Sequence, residues 1–176
     1  EAQRGRIAGE IAETAAELGH ALADIVWSLD PRAATLEELA ARLAEHGDRL
    51  FPGDDVVFRI VTPREWPAAE LPLTLRRNLL LIGVEALHNA ARHARARHVT
   101  LEIGPRQGFW ELRLHDDGVG LDTDSAGPRR RGRGLAGMRR RAEEIGALTE
   151  WTPAPGGGTT VRLRFAVPGT VRRARA

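Results

Sequence analysis

Four short clusters in this 176-residue sequence combine residue types that can do chemistry. The first is E-A-L-H-N-A-A-R-H-A, Glu85 to Ala94. On a helix, Glu85 and Asn89 stand one turn apart on one face, and Arg92 follows three residues later. A carboxylate, an amide and a cation in a row suit a metal-triphosphate better than an apolar core. An Asn carbonyl oxygen takes one octahedral Mg²⁺ position while phosphate oxygens and waters take the rest. Glu85 can orient or deprotonate an attacking group, directly or through water. A plain solvent-facing stripe has the same composition, so this cluster does not decide the matter alone.

The second cluster is L-H-D-D-G-V-G, Leu114 to Gly120, directly after an apolar run. A carboxylate at a strand end can accept from the amino group of adenine, and glycines beside it allow a sharp turn and close approach to a flat ring. A simple Asp-Gly turn reads the same way. The third is G-R-G-L-A-G-M-R-R-R-A, Gly132 to Ala142, where glycines leading into a helix free backbone N–H groups to face phosphates. It is neither a P-loop nor a Rossmann fingerprint: it lacks G-K-[ST] and follows no strand. The fourth is G-G-G-T-T, Gly156 to Thr160, a flexible hairpin turn or a place for a Thr hydroxyl beside a base.

Several elements must position these clusters. Ile7, Ile11, Ala15, Leu18, Leu22, Ile25 and Leu29 recur at helical spacing, which predicts one helix from about Arg6 to Leu29, stopped by Pro31. Thr35 opens a second helix, running to about Leu50, with Glu38 completing a capping box. A strand is expected over Val56–Val61. A long helix follows Pro72 and runs to about Ala94. Strands follow over Val99–Ile103 and Phe109–Leu114, then a helix over Gly134–Ala147. Leu148–Thr152 and Thr159–Val167 close the chain as a hairpin. That order predicts an α/β (α+β) two-layer sandwich, a mixed sheet with helices on one face.

Composition narrows the classes. Hydrophobic residues make up 42%, too many for a disordered chain. With no Cys, disulfides and thiolate-metal sites are excluded. The six His form no H-E-x-x-H pair. No apolar run is long enough to span a membrane. The basic residues are all Arg, clustered at 129–133, 139–141 and 172–175, yet the net charge is only +2 and 5% of residues are aromatic. Direct nucleic-acid binding is not expected from that pattern.

Together the order and spacing of the four clusters resemble the GHKL ATPase superfamily, with its N box, two glycine boxes and terminal G-T. Within it the chain resembles two-component sensor histidine kinases, in the subfamily that pairs with helix-turn-helix response regulators. D-I-V-W-S-L-D-P, Asp24 to Pro31, is similar to the end of that subfamily's second dimerisation helix, and Leu75–Ala94 to its N box. The resemblance implies a Bergerat-type ATP-binding fold preceded by a long dimerisation helix. Domain boundaries follow: residues 1–31 for part of the dimerisation region, 32–168 for the ATP-binding catalytic domain and 169–176 for a basic tail.

The resemblance also implies ATP and Mg²⁺ as cofactors, with Glu85 as the catalytic carboxylate and Asn89 as the metal ligand. Asp116 would contact adenine, with Gly118 and Gly120 beside it. Gly132, Gly134 and Gly137 would face phosphates, and Thr159, with Thr160 as its alternative, would make a second contact near adenine. Arg92 stands where the family often has Lys, keeping the charge but changing its geometry. His93 matches a family His, in either a structural or a phosphate-contacting role.

The implied function is transfer of the ATP γ-phosphate to a His on a dimerisation helix, for relay to a response regulator. The alternatives are an anti-sigma-type serine kinase and a non-catalytic ATP-dependent switch of the same fold. The implied partners are a response regulator and, in the full-length protein, a second copy. A cytoplasmic location is expected, without membrane contact by this stretch. The phosphoacceptor is expected to lie outside it: among the six His only His115 precedes an acidic residue, and it sits inside a glycine box. His20 precedes Ala21, so it lacks the adjacent proton acceptor and is not expected to be phosphorylated.

Overall fold

The computed structural model describes residue 19 and residues 22–30, 35–120, 133–154 and 156–170. The chain divides into two units, Glu1–Ala33 and Ala34–Ala176. In the first, residues 22–29 are helical. Leu22, Ile25, Val26 and Leu29, spaced i, i+3, i+4 and i+7, form an exposed apolar stripe on that helix. Most of the helix expected from Arg6, together with His20, lies outside the described residues.

In the second unit, helix α1 (Leu36–Leu50) starts at the expected capping box. The Glu38 N–H donates to Thr35 Oγ1 at 3.2 Å and the Thr35 N–H to Glu38 Oε2 at 2.9 Å. Leu36, Leu39, Ala40 and Leu43 bury one face of α1. Gly47 continues that face. A Cβ there would lie 2.1 Å from the Phe58 ring, so the glycine lets α1 lie directly on strand β1 (Val57–Val61).

Helix α2 (Leu73–Asn89) follows Pro72 and buries Leu75, Leu79, Leu80, Ile82, Ala86 and Leu87. Gly83 brings it against α1, since a Cβ would sit 2.6 Å from a Leu43 methyl. The helix does not continue to Ala94 in α geometry, as the periodicity suggests. Ala90–Ala94 form a π-helical turn, ended by Arg95 at φ 52°. The wider turn breaks the α register, so Arg92 and His93 do not extend the Glu85–Asn89 face.

Strands β2 (His98–Arg106), β3 (Phe109–Asp116), β4 (Leu148–Pro153) and β5 (Thr159–Phe165) complete a sheet of order β1-β2-β3-β5-β4. Only β1 and β2 are parallel, joined through α2; the other pairings are antiparallel. Helix α3 (Arg133–Glu144) ends earlier than Ala147, in a Schellman motif. There the Ala147 N–H reaches the Ala142 carbonyl at 2.9 Å, the Gly146 N–H that of Glu143 at 3.1 Å, and Gly146 takes φ 64°.

Strand alternation sorts the two faces of the sheet. Val99, Leu101, Ile103, Leu112, Leu114 and Leu163 are buried on the helix-covered face. The other face carries Glu102, Arg113, Arg162, Arg164 and Glu150. The result is the mixed, two-layer sandwich that the element order predicts.

Candidate functional site

Asp116 is the last residue of β3 and sits on the helix-covered face, opposite Val99. It is 4% exposed. One carboxylate oxygen, Oδ1, accepts from the Gly118 N–H at 3.0 Å and the Thr159 N–H at 3.2 Å. The other oxygen accepts no hydrogen bond among the described residues and is not sealed from solvent. A buried, aimed carboxylate with one free acceptor oxygen is suited to a ligand amino group.

The glycines around it serve close backbone packing. A Cβ on Gly118 would lie 2.0 Å from the Ala94 carbonyl oxygen, and the same carbonyl accepts from the Val119 N–H at 2.8 Å. Thus the end of the π-helical turn seats the glycine loop. Gly158 has φ +87° and a Cβ there would lie 1.9 Å from the Asp116 carbonyl oxygen. A Cβ on Gly120, which has φ +80°, would lie 3.2 Å from the Gly158 carbonyl oxygen. Three segments far apart in sequence therefore meet backbone to backbone around Asp116.

Asp117 secures the same loop from the other side. Its Oδ1 accepts from the Arg97 and His98 N–H groups at 2.8 Å each, and its Oδ2 pairs with His98 Nδ1 at 2.7 Å. The hydrogen bonds from His98 outweigh desolvation and hold the Asp117 carboxyl at about 2, below its ordinary 3.8. A depressed carboxyl contributes stability above its unfolded value. This contribution is therefore complete above about pH 4 and is lost as the pH falls toward 2.

Glu85, half-buried on α2, meets the start of α3: a Cβ on Gly134 would lie 2.2 Å from Glu85 Oε1. Asn89 follows one turn later as the last residue of α2 and is also half-buried. Arg92 and His93 are exposed on the π-helical turn. Gly137 lies one turn into α3, where helical geometry directs its N–H to the Arg133 carbonyl, away from the unpaired N–H groups of the first turn. A Cβ there would meet only the mobile tip of Arg141, at 2.9 Å. Gly132 and the loop from Leu121 to Arg131 lie outside the described residues.

The structure separates Thr159 from Thr160. The Thr159 N–H holds Asp116, whereas the Thr160 hydroxyl lies 3.4 Å from His115 Nδ1 on the opposite face of the sheet. Sequence reasoning missed Asp117 and Gly158. The Asp-Asp doublet and the triple glycine were visible signals, but which member mattered depends on residues far away in the chain.

The Gly158 contact carries a stability prediction. Gly158→Ala must both hold a left-handed φ and displace the Asp116 carbonyl, so it should cost about 1–3 kcal/mol more than Gly156→Ala. Gly156 is the matched control, at φ +88° with nothing within 4 Å of its absent Cβ. Denaturant melts of the two variants would measure the difference. Equal midpoints would show that the Asp116 contact carries no weight.

The fold and the meeting of these loops define a nucleotide-handling class, and the comparisons agree. The family described as histidine kinase-, DNA gyrase B-, and HSP90-like ATPase matches residues 75–169, and the chain belongs to it. Its fold is shared with solved ATP-binding domains of histidine kinases. The sensor protein VraS of Staphylococcus saprophyticus is 33% identical over 95 residues, 54% of this chain and 27% of that protein. VraS of Staphylococcus aureus is 32% identical over the same length. The chain thus spans about a quarter of the length of the curated relatives it matches.

Two solved structures share the fold. The histidine kinase domain of the blue-light activated histidine kinase EL346 from Erythrobacter litoralis superposes with a TM-score of 0.61 at 24% identity. It covers 76% of this chain and 64% of that one. The ATP binding domain of PrrB from Mycobacterium tuberculosis gives 0.59 at 23% identity, over 77% and 96%.

Proposed function

We propose that this chain supplies the ATP site for autophosphorylation of a two-component sensor kinase. The terminal phosphoryl group leaves the β-phosphate oxygen of ATP and bonds to an imidazole nitrogen of a histidine on a dimerisation helix. ADP departs, the imidazole proton passes to a base, and the phosphoryl group is later relayed to a response regulator with a helix-turn-helix output domain. The observation that carries the reading is the Asp116 carboxylate, with Oδ1 occupied by two N–H groups and Oδ2 left to accept.

In this reading Asp116 takes the adenine amino group, and Gly118, Gly120 and Thr159 shape the wall around it. The first turn of α3, at Gly134, offers N–H groups to phosphate. Glu85 accepts the proton or orients the imidazole, directly or through water. Arg92 and His93 lie on the exposed turn after Asn89, where they can reach phosphate only from the solvent side.

Mg²⁺ would be held at Asn89, half-buried one turn beyond Glu85, by its amide oxygen together with phosphate oxygens and water. Such an ion would neutralise phosphate charge and orient the triphosphate. The exposed stripe Leu22–Ile25–Val26–Leu29 supports dimerisation through the helix that carries it. No helix among the described residues is long and apolar enough to cross a membrane, and we place this part of the protein in the cytoplasm.

The test is thermal melting with added Mg-ATP. A saturable rise is expected, about 1.4 kcal/mol at ten times Kd. No rise at millimolar ATP would remove the reading. The metal assignment has its own test: Asn89→Ala should weaken ATP binding strongly with Mg²⁺ present and little in its absence. Equal losses under both conditions would show that Asn89 does not hold the ion.

A further inference from the structure

The sheet face opposite α1, α2 and α3 holds a cavity of about 390 Å³, lined by Arg106, Phe109, Glu111, Leu148, Arg162 and Arg164 among others. It is remote from Asp116. Phe109 and Asp116 stand at opposite ends of β3, about 24 Å apart at strand rise, and Asp116 faces the other side of the sheet.

Its charges are unevenly satisfied. Arg164 Nε donates to Glu111 Oε2 at 3.1 Å, and Glu111 is 7% exposed, so that pair is settled in the floor. Arg106 has only a loose contact with Glu102, at 3.6 Å. The Arg162 side chain makes no hydrogen bond or ion pair among the described residues, and its Nε is buried without an acceptor. Arg113 lies beside it on β3 and Glu150 on β4. A guanidinium in this state is short of an anion. The rim is apolar: Leu148 is 71% exposed and Phe109 is 49% exposed.

We propose that this cavity binds a small organic carboxylate, a monoanion with an aromatic or branched aliphatic body. The flat guanidinium fork of Arg162 matches a carboxylate, and Arg106 adds a second cation at the edge. Phe109 and Leu148 would cover the apolar body, which accounts for large side chains standing in water. The volume falls within the ~300–1,000 Å³ of small-ligand sites. Glu111 in the floor and Glu150 beside Arg162 set the limit on charge, since a phosphate dianion would meet both. This site does not depend on the nucleotide reading.

The experiment titrates 3-phenylpropionate into the whole chain, followed by amide chemical shifts. Parallel titrations use 3-phenylpropan-1-ol and inorganic phosphate at matched ionic strength. Saturable shifts at β3, β4 and β5 are expected with the acid, and about tenfold weaker binding or none with the alcohol and with phosphate. Arg162→Gln should weaken the acid about tenfold or more while leaving ATP-induced shifts intact. Phe109→Ser, at an exposed position, should weaken it without touching a charge. Absence of saturation, equal binding of phosphate, or an unchanged titration in both variants would overturn the proposal. Loss of ATP binding by the wild-type chain would count against the nucleotide site alone.

Discussion

Asp116→Ala is expected to weaken ATP binding about ten- to a hundredfold, and Asp116→Asn to turn the site's preference from ATP toward GTP. The first figure follows from losing a hydrogen bond to a charged acceptor in a buried place, about 1.5–3 kcal/mol. The second follows from geometry. Oδ1 of Asp116 is held by the N–H groups of Gly118 and Thr159, which are both donors. An Asn at this position must keep its carbonyl oxygen there, which places its NH₂ where the free carboxylate oxygen stands. That NH₂ opposes the amino group of adenine but can donate to the carbonyl of guanine. Nucleotide titrations on the three proteins, with melts to confirm folding, would read this directly. If the unaltered chain binds GTP as tightly as ATP, or if Asp116→Ala keeps its ATP affinity, the adenine contact lies elsewhere.

That geometry also marks what could be read without coordinates. The capping box at Thr35 and Glu38 is local, and its helix begins where those two residues require. The sheet was legible because alternation along F-W-E-L-R-L-H-D puts Trp110, Leu112, Leu114 and Asp116 on one face, so a carboxylate ends an otherwise apolar row. The π-helical turn was not legible. Its sequence, A-A-R-H-A, is good α-helix, and the carbonyl it presents accepts from the Val119 N–H and packs against Gly118, more than twenty residues away. The same holds for Gly158, whose need for a bare Cα comes from Asp116 across the sheet. Asp117 looked like half of a common turn, yet it ties the N–H groups of Arg97 and His98 and the His98 ring to the glycine loop. Types and spacing name the participants. The reason each glycine must be glycine is tertiary.

Glu85→Gln is expected to lower phosphoryl transfer about 10²–10⁴-fold while changing ATP affinity little. Gln keeps the size and hydrogen-bonding reach of the side chain but cannot take the imidazole proton or stabilise the imidazolium that develops as the N–P bond forms. Neighbouring geometry supplies a second variant. The Gly134 Cα lies so close to Glu85 that a Cβ would fall 2.2 Å from Oε1. Gly134→Ala should therefore displace the carboxylate and slow transfer in the same direction, without removing any ionisable group. The assay mixes the chain with γ-labelled ATP, Mg²⁺ and a separately supplied helix bearing the acceptor histidine, and follows acid-labile, base-stable phosphate. Binding is measured in parallel, because a loss of rate through loss of ATP would mimic the result. His20→Gln is the control for the acceptor: label should appear on the supplied helix, and the substitution should not matter. Near-stoichiometric label on this chain that vanishes in His20→Gln would place the acceptor here instead. Full transfer by Glu85→Gln would assign the proton to another group, and the close approach of α3 to Glu85 would then be a packing contact only.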